Sequence, residues 1–180
     1  RQSSELVGAA FDRDPDNRWL ARGSRFRLPS WMIRDAALRS SGLMNDALGG
    51  PTVMPYQPDG VWSEMFMGRF RYQASQGVAQ YRRTLYAFWR RSAAPTFLFD
   101  SSQRRICEVR PRQTNTPLQA LTMLNDLNIM TSARNLAKNA ITQRTEVSQQ
   151  LEYLFEAVLC RRPERNELTV LVREYDAAMK

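Results

Sequence analysis

The chain reads as a mainly α-helical fold with a few short strands, an irregular Arg-rich first part being followed by a small antiparallel helical bundle. Three observations predict this. Residues 1–115 hold 18 Arg against 10 acids, whereas residues 116–180 hold 8 cations and 8 acids. Apolar residues recur at helical spacing from Thr116 to the end. Pro and Gly cluster in the first part, above all between residues 49 and 60. The division falls between residues 115 and 116 of what reads as one continuous domain. The chain begins at Arg1 without Met and is read as part of a longer protein.

Residues 1–30 have no regular period. Asp12, Asp14 and Asp16 alternate like the start of a calcium loop. Asn17 then stands where the sharp-turn Gly belongs and Gly23 where the bidentate Glu belongs, so a polar turn is expected instead. Ser30 to Ser41 reads as a helix with Ile33, Ala36, Ala37 and Ser40 on one face and Gly42 to end it. Leu43 to Leu48 is expected to extend it after a break. The Gly49-Gly50-Pro51 to Gly60 stretch reads as an ordered loop leading to a short helix over Val61–Met67.

Tyr81 to Arg91 fits either helical spacing or alternation. Its aromatics and Thr84 favour a strand, with its Arg pairs solvated. Thr96–Asp100 and Ile106–Arg110 are candidate short strands. At Thr116 the signals become sharp. Thr116 is a good N-cap, Pro117 occupies the first helical position, and Gln119 can reach back to the cap. This predicts a helix over Pro117–Leu124. Three further apolar stripes follow: Ile129, Met130, Ala133, Leu136, Ala137, Ala140, Ile141; then Val147, Leu151, Leu154, Phe155, Val158, Leu159; then Leu168, Leu171, Val172, Tyr175.

The composition excludes several chemistries. With no His in the chain, His-based general base catalysis, His metal ligation and a Cys-x-x-Cys-His haem site are all absent from it. Without His, acid–base catalysis would need paired carboxylates, and no spacing brings two together. The two Cys, Cys107 and Cys160, are expected to be free and mostly buried. No apolar run approaches the roughly 20 residues of a membrane span. No P-loop or dinucleotide fingerprint is present.

The basic run before Thr116 suits an anion. Arg110 and Arg112 can fork onto a carboxylate, sulfate or phosphate, and Asn115, Thr116 and Gln119 stand at a partly positive helix start. The competing reading pairs these Arg with Asp100, Glu108 or Asp126 inside the fold. Arg34 is a further candidate ligand for the anion. It and Asp35 are adjacent on a helix, so each is expected to need a separate partner, and a structural role is favoured for both. Tyr56, Trp62, Tyr81, Tyr86, Phe88 and Trp89 could stack a sugar or base, although core packing is the favoured reading.

Asn17-Arg18-Trp19-Leu20, Arg25 to Leu28 and Ile33-Arg34-Asp35 carry a family resemblance. It continues through Pro55-Tyr56-Gln57-Pro58, Leu85-Tyr86, Phe88-Trp89 and Phe99-Asp100, and is most specific at Thr114-Asn115-Thr116-Pro117-Leu118-Gln119-Ala120-Leu121. These residues resemble a planctomycete-type domain of unknown function found C-terminal to cytochrome c-like domains. The sequence departs from the pattern at Trp31, where an acid is usual, at Met54, where a basic residue is common, and at Cys160, where Gly is usual. The usual Thr cap before Glu164 is also missing. The resemblance implies an exported, extracytoplasmic parent chain with cytochrome c-like domains in cis. Any haem c would then be held there, with no cofactor in this chain. It implies no reaction and no catalytic residues.

From the residues and the resemblance together, the expected function is a non-catalytic module. It would bind an anionic polysaccharide, acidic or sulfated, or dock a partner protein. The alternatives are a carboxylate-dependent carbohydrate-active or redox-linked enzyme domain, a purely structural cap, and a nucleic-acid-binding domain. Nucleic acid is the least expected ligand, because no recognisable binding motif accompanies the charge.

Overall fold

The computed structural model describes residues 8–20, 22–23, 27–62, 67, 69–90, 99–100, 109 and 113–180. The helices that lie wholly within these residues, in chain order, are α1 (Gly8–Arg13), α2 (Ser30–Ser40), α3 (Pro117–Asn125), α4 (Leu127–Gln143), α5 (Val147–Leu159) and α6 (Arg165–Ala178). Val61 and Trp62 of the expected Val61–Met67 helix are helical, and 63–66 lie outside the described residues. Two 3-10 turns, Gly77–Tyr81 and Thr84–Tyr86, lie between α2 and α3. The fold is mainly helical, and the helices pack against one another. α2 lies on α4 and α5, α3 on α4, α4 on α5, and α5 on α6. No described helix is long and apolar enough to cross a membrane.

The expected strand over Tyr81–Arg91 is not formed. Among the described residues, the segment holds the end of one 3-10 turn, all of the next, and isolated bridge positions at Arg82, Ala87 and Arg90, the first two paired in parallel with Asn45 and Val53. Side chains explain why no ladder grows. Arg82 donates to the carbonyls of Pro51 (2.8 Å), Ala47 (3.0 Å) and Gly49, and lies 3.8 Å from the centre of the Tyr86 ring. Tyr86 in turn accepts the Gly49 N–H at 2.9 Å. The 47–51 loop thus bonds to side chains where a strand would bond to backbone. Of the other candidate strands, Phe99 and Asp100 form a turn, and 96–98 and 106–108 lie outside the described residues.

α2 begins and ends close to expectation, but its buried line differs. Ser30, Arg34 and Leu38 are buried, not the Ile33–Ala36–Ala37 face. Leu43–Leu48 does not continue the helix. The Leu43 and Met44 N–H groups both bond back to the Leu38 carbonyl, and Gly42 turns the chain at φ +75°.

α4 shows the same preference for polar burial. Its buried line is Asn128, Ser132, Leu136 and Ala140, while Met130 and Ile141 are exposed. Beside that line, Asn135 and Asn139 donate to the Ser41 carbonyl at 2.7 and 2.9 Å. These amides satisfy a carbonyl that the end of α2 leaves without a helical partner. α4 is capped by Asp126, which accepts from the N–H groups of Asn128 (2.8 Å) and Ile129 (3.4 Å). α5 and α6 present the expected apolar faces to each other, with Val158 and Leu159 left exposed.

Cys160 is exposed rather than buried, and Cys107 lies outside the described residues. Cys160 sits at the C-terminal cap of α5 in the left-handed region, φ 55°. Side-chain sterics penalise that conformation for every residue but Gly. Cys160→Gly is therefore expected to stabilise the protein by about 1 kcal/mol. A urea midpoint unchanged or lowered by the substitution would contradict this.

The start of α6 lacks a Thr cap, and Glu164 replaces it. Glu164 accepts from the Glu167 N–H while Glu167 accepts from the Glu164 N–H at 2.8 Å, completing a capping box. Arg161 forks onto Glu167 at 2.7 and 2.6 Å. The Arg161 hydrogen bond, then that from Glu164, hold the Glu167 carboxyl down at about 2, against an ordinary 4.5. A carboxyl depressed in the folded state stabilises above its unfolded pKa and loses that contribution as pH falls through its folded pKa. Stability is thus expected to fall from about pH 4.5 towards pH 2. Glu167→Gln should flatten that part of a stability-against-pH profile, and an unchanged slope would show that Glu167 is not its source.

Candidate functional site

The predicted capping box at α3 is present. Thr116 Oγ1 accepts the Gln119 N–H and Gln119 Oε1 accepts the Thr116 N–H, both at 3.4 Å. Two further residues complete this corner. Arg27 forks onto Asn115 Oδ1 (2.5 Å) and Gln119 Oε1 (2.8 Å). Asp100 accepts from the Thr114 N–H and hydroxyl, both at 2.7 Å, and from Gln119 Nε2 at 3.3 Å. The chain thus supplies its own anion beside the helix start. Desolvation pushes the Asp100 carboxyl up, but the Thr114 and Gln119 hydrogen bonds, with Arg27 nearby, outweigh it and hold the pKa below the usual range. Asn115 and Gln119 are therefore brought together on Arg27, with Thr116 joined through its capping box to Gln119. Arg110 and Arg112, like Glu108, lie outside the described residues.

Arg34 is not brought to that corner. Its side chain is 1% exposed and donates to the Arg82 carbonyl (2.9 Å), the Gln80 carbonyl (2.7 Å) and Thr84 Oγ1 (3.1 Å). Thr84 donates its N–H and its hydroxyl to Asp35, each at 2.7 Å. Arg34 and Asp35 thus share Thr84, where separate partners were expected. Burial lowers the Arg34 pKa, and the charges of Asp35 and Asp126 oppose that shift.

A different part of the chain forms a pocket. Residues 69–74 read Arg-Phe-Arg-Tyr-Gln-Ala and alternate strictly, Phe70, Tyr72 and Ala74 turning inward while Arg69, Arg71 and Gln73 stay exposed. Phe70 and Tyr72 join Trp62 and Phe88 in an aromatic cluster. Trp62 stacks on Tyr72 with centroids 5.0 Å apart and on Phe88 at 5.7 Å. Trp62, only 3% exposed, donates its Nε1–H to Gln57 Oε1 at 2.9 Å. Tyr72 donates its hydroxyl to the Pro55 carbonyl at 2.5 Å. Burial pushes the Tyr72 phenol up to about 12, against the opposing effects of Gln57 and Arg34.

Between this cluster and the 56–60 loop lies a cavity of about 500 Å³, lined by Tyr56, Gln57, Asp59 and Arg71 and, from the cluster, by Trp62, Phe70 and Tyr72. Arg90 sits 5.0 Å from the centre of the Phe70 ring. No hydrogen bond or ion pair engages the Arg69 or Arg71 guanidinium among the described residues. Phe70, Arg71 and Tyr72 escape a reading based on motifs, although their strict alternation of cation and aromatic is a usable signal.

The Asp12–Asp16 run makes the expected polar turn. Asp14 is buried and accepts from the N–H groups of Arg18 (2.7 Å) and Trp19 (2.9 Å). Among the described residues, no group of three or more His, Cys, Asp or Glu is placed to hold a metal.

A family model, PSD1, described as a protein of unknown function (DUF1553), matches residues 1–175. The chain belongs to this family. The PSD1 match spans both the aromatic pocket and the α3 corner, so each is a feature of the family domain in this chain and not of an appendage. No curated protein and no solved structure matches the chain.

Proposed function

We propose that this PSD1-family chain is a non-catalytic module that binds an acidic or sulfated glycan. The observation that carries this reading is the Arg71 guanidinium, unengaged among the described residues, at the wall of an aromatic pocket. Guanidiniums fork onto carboxylate or sulfate, and aromatic faces stack on the apolar faces of sugar rings. The charge balance of the first part supports the same reading. The resemblance supports an exported parent chain that carries cytochrome c-like domains upstream, with any haem c held there.

Partner docking draws on a separate observation. Leu118, Leu121 and Leu124, spaced three apart on α3, are 70%, 57% and 71% exposed, and α3 carries no charge. Such a ridge suits a protein neighbour better than a glycan.

The four Trp report binding. The chain is titrated with a polyuronate, a sulfated glycan, a neutral glycan and duplex DNA, at low and at physiological salt. Binding of the acidic glycans that survives physiological salt is the expected result. Binding of every polyanion that vanishes with salt would reduce the charge to a diffuse field and overturn the reading. Equal affinity for neutral and acidic glycans would overturn it as well.

A further inference from the structure

We infer that the pocket between residues 56–60 and 70–74 is the subsite for a sugar monoanion, that is, one hydroxylated ring bearing a carboxylate or sulfate. This inference rests on the glycan reading above and narrows it to a site and a ligand class.

The volume is the first argument. About 500 Å³ falls within the roughly 300–1,000 Å³ of small-molecule pockets, enough for a short saccharide end. The walls are the second. Tyr56 lines the pocket and is 37% exposed, so a ring face is available to stack against. Trp62 and Tyr72 behind it are locked by stacking and by their bonds to Gln57 and Pro55. The pocket wall is thus pre-organised, which lowers the entropy lost on binding.

The polar groups decide the ligand class. Gln57 is 4% exposed and lines the pocket. Its Oε1 is engaged by Trp62, and its Nε2 makes no hydrogen bond of good geometry. An amide nitrogen carries two protons, and among the described residues the acceptor acting on it is the neighbouring Tyr72 oxygen. At least one N–H therefore has no acceptor among the described residues and can donate to a guest. Asp59 and Arg71, both exposed, line the same pocket with opposite charge. Asp59 only accepts, so it suits the hydroxyl protons of a sugar, while Arg71 only donates and suits an anion. A neutral sugar leaves Arg71 without its anion. An inorganic anion offers Asp59 no donor and stands close to its charge. A hydroxylated ring with a single negative group satisfies Gln57, Asp59 and Arg71 together and lays its C–H face on Tyr56.

The test is calorimetric titration of the 180-residue chain with methyl glucuronide, glucose 6-sulfate, methyl glucoside, inorganic sulfate and a nucleoside monophosphate. The first two are expected to bind, the stronger of them naming the anion. Tyr56→Ala and Arg71→Gln should each weaken that binding by about tenfold or more, with unfolding midpoints near wild type because both side chains are exposed. Asp59→Asn should narrow the preference for a sugar anion over inorganic sulfate. If acidic polysaccharide binds but both variants bind it as tightly as wild type, the pocket assignment falls and the glycan reading stands. If wild type binds no acidic saccharide, both fall. Preference for the nucleoside monophosphate would overturn the ligand class.

Discussion

Replacing Arg34 with Met is expected to cost about 3–5 kcal/mol of folding stability, a large part of the roughly 5–15 kcal/mol a domain has. The guanidinium, itself 1% exposed, holds two carbonyls, Gln80 and Arg82, and the Thr84 hydroxyl, all within 3.1 Å. A methionine of similar length fills the space but donates nothing. The carbonyls would then stay buried without donors, at about 1–3 kcal/mol for each unmet group. Asp35 would also lose the buried one of its two cations, Arg34 at 3.9 Å, and keep only the half-exposed Arg83 at 4.0 Å. Arg34→Lys should recover little, because one ammonium cannot reach the positions that a planar fork spans. Urea unfolding of the three proteins tests this. A loss below about 1 kcal/mol for Arg34→Met would mean that water replaces the guanidinium and that the site is softer than its burial suggests.

Trp62→Ala is expected to cost a similar amount, about 3–5 kcal/mol. The indole packs against Phe70, Tyr72 and Phe88, with centroids 5.0–5.7 Å away. Its removal empties the centre of that cluster and strands Gln57 Oε1 without a donor. Trp62→Phe separates the two effects. It keeps most of the ring contacts and removes only the N–H, so about 1–2 kcal/mol is expected. The same substitutions bear on binding. With Trp62 absent, the wall behind Tyr56 collapses, and saccharide affinity should fall even though Trp62 itself is almost fully enclosed. Equal stability of Trp62→Phe and Trp62→Ala would place all the energy in the hydrogen bond and none in packing.

The elements legible in the sequence are those governed by near neighbours. The Thr116–Pro117–Gln119 capping box, the Gly42 helix stop and the facing stripes of α5 and α6 depend on residues a few positions apart. Backbone geometry sets such relations directly. The mainly helical class follows from them. The strand expected over Tyr81–Arg91 failed for the opposite reason. Aromatic and β-branched content signals a half-buried extended surface, but Arg82 and Tyr86 turned that surface into a hub for the 47–51 loop.

The α3 corner was half legible. Asn115, Thr116 and Gln119 could be named from local signals, while Arg27 and Asp100 enter from 92 and 19 positions away from Gln119. No sequence period announces such partners. The pocket was less legible still, although Tyr56 and Trp62 stood out as aromatics. Gln57 has no sequence signature as a buried donor, and the alternation at 69–72 reveals which side chains turn inward but not what they meet.

By itself, then, the sequence determined the helical class, the start of α3, the apolar faces of the last two helices, the family, and the placement of positive charge in the first part. Tertiary structure alone decided that Arg34 is buried against the 80–84 segment, that Asn135 and Asn139 of α4 hold the end of α2, that Asp100 is the anion at the α3 corner, and that a walled pocket forms beside Arg71. The physical reason is shared. Hydropathy assigns polar side chains to water, and only the three-dimensional arrangement of donors and acceptors reveals which of them are satisfied well enough to leave it.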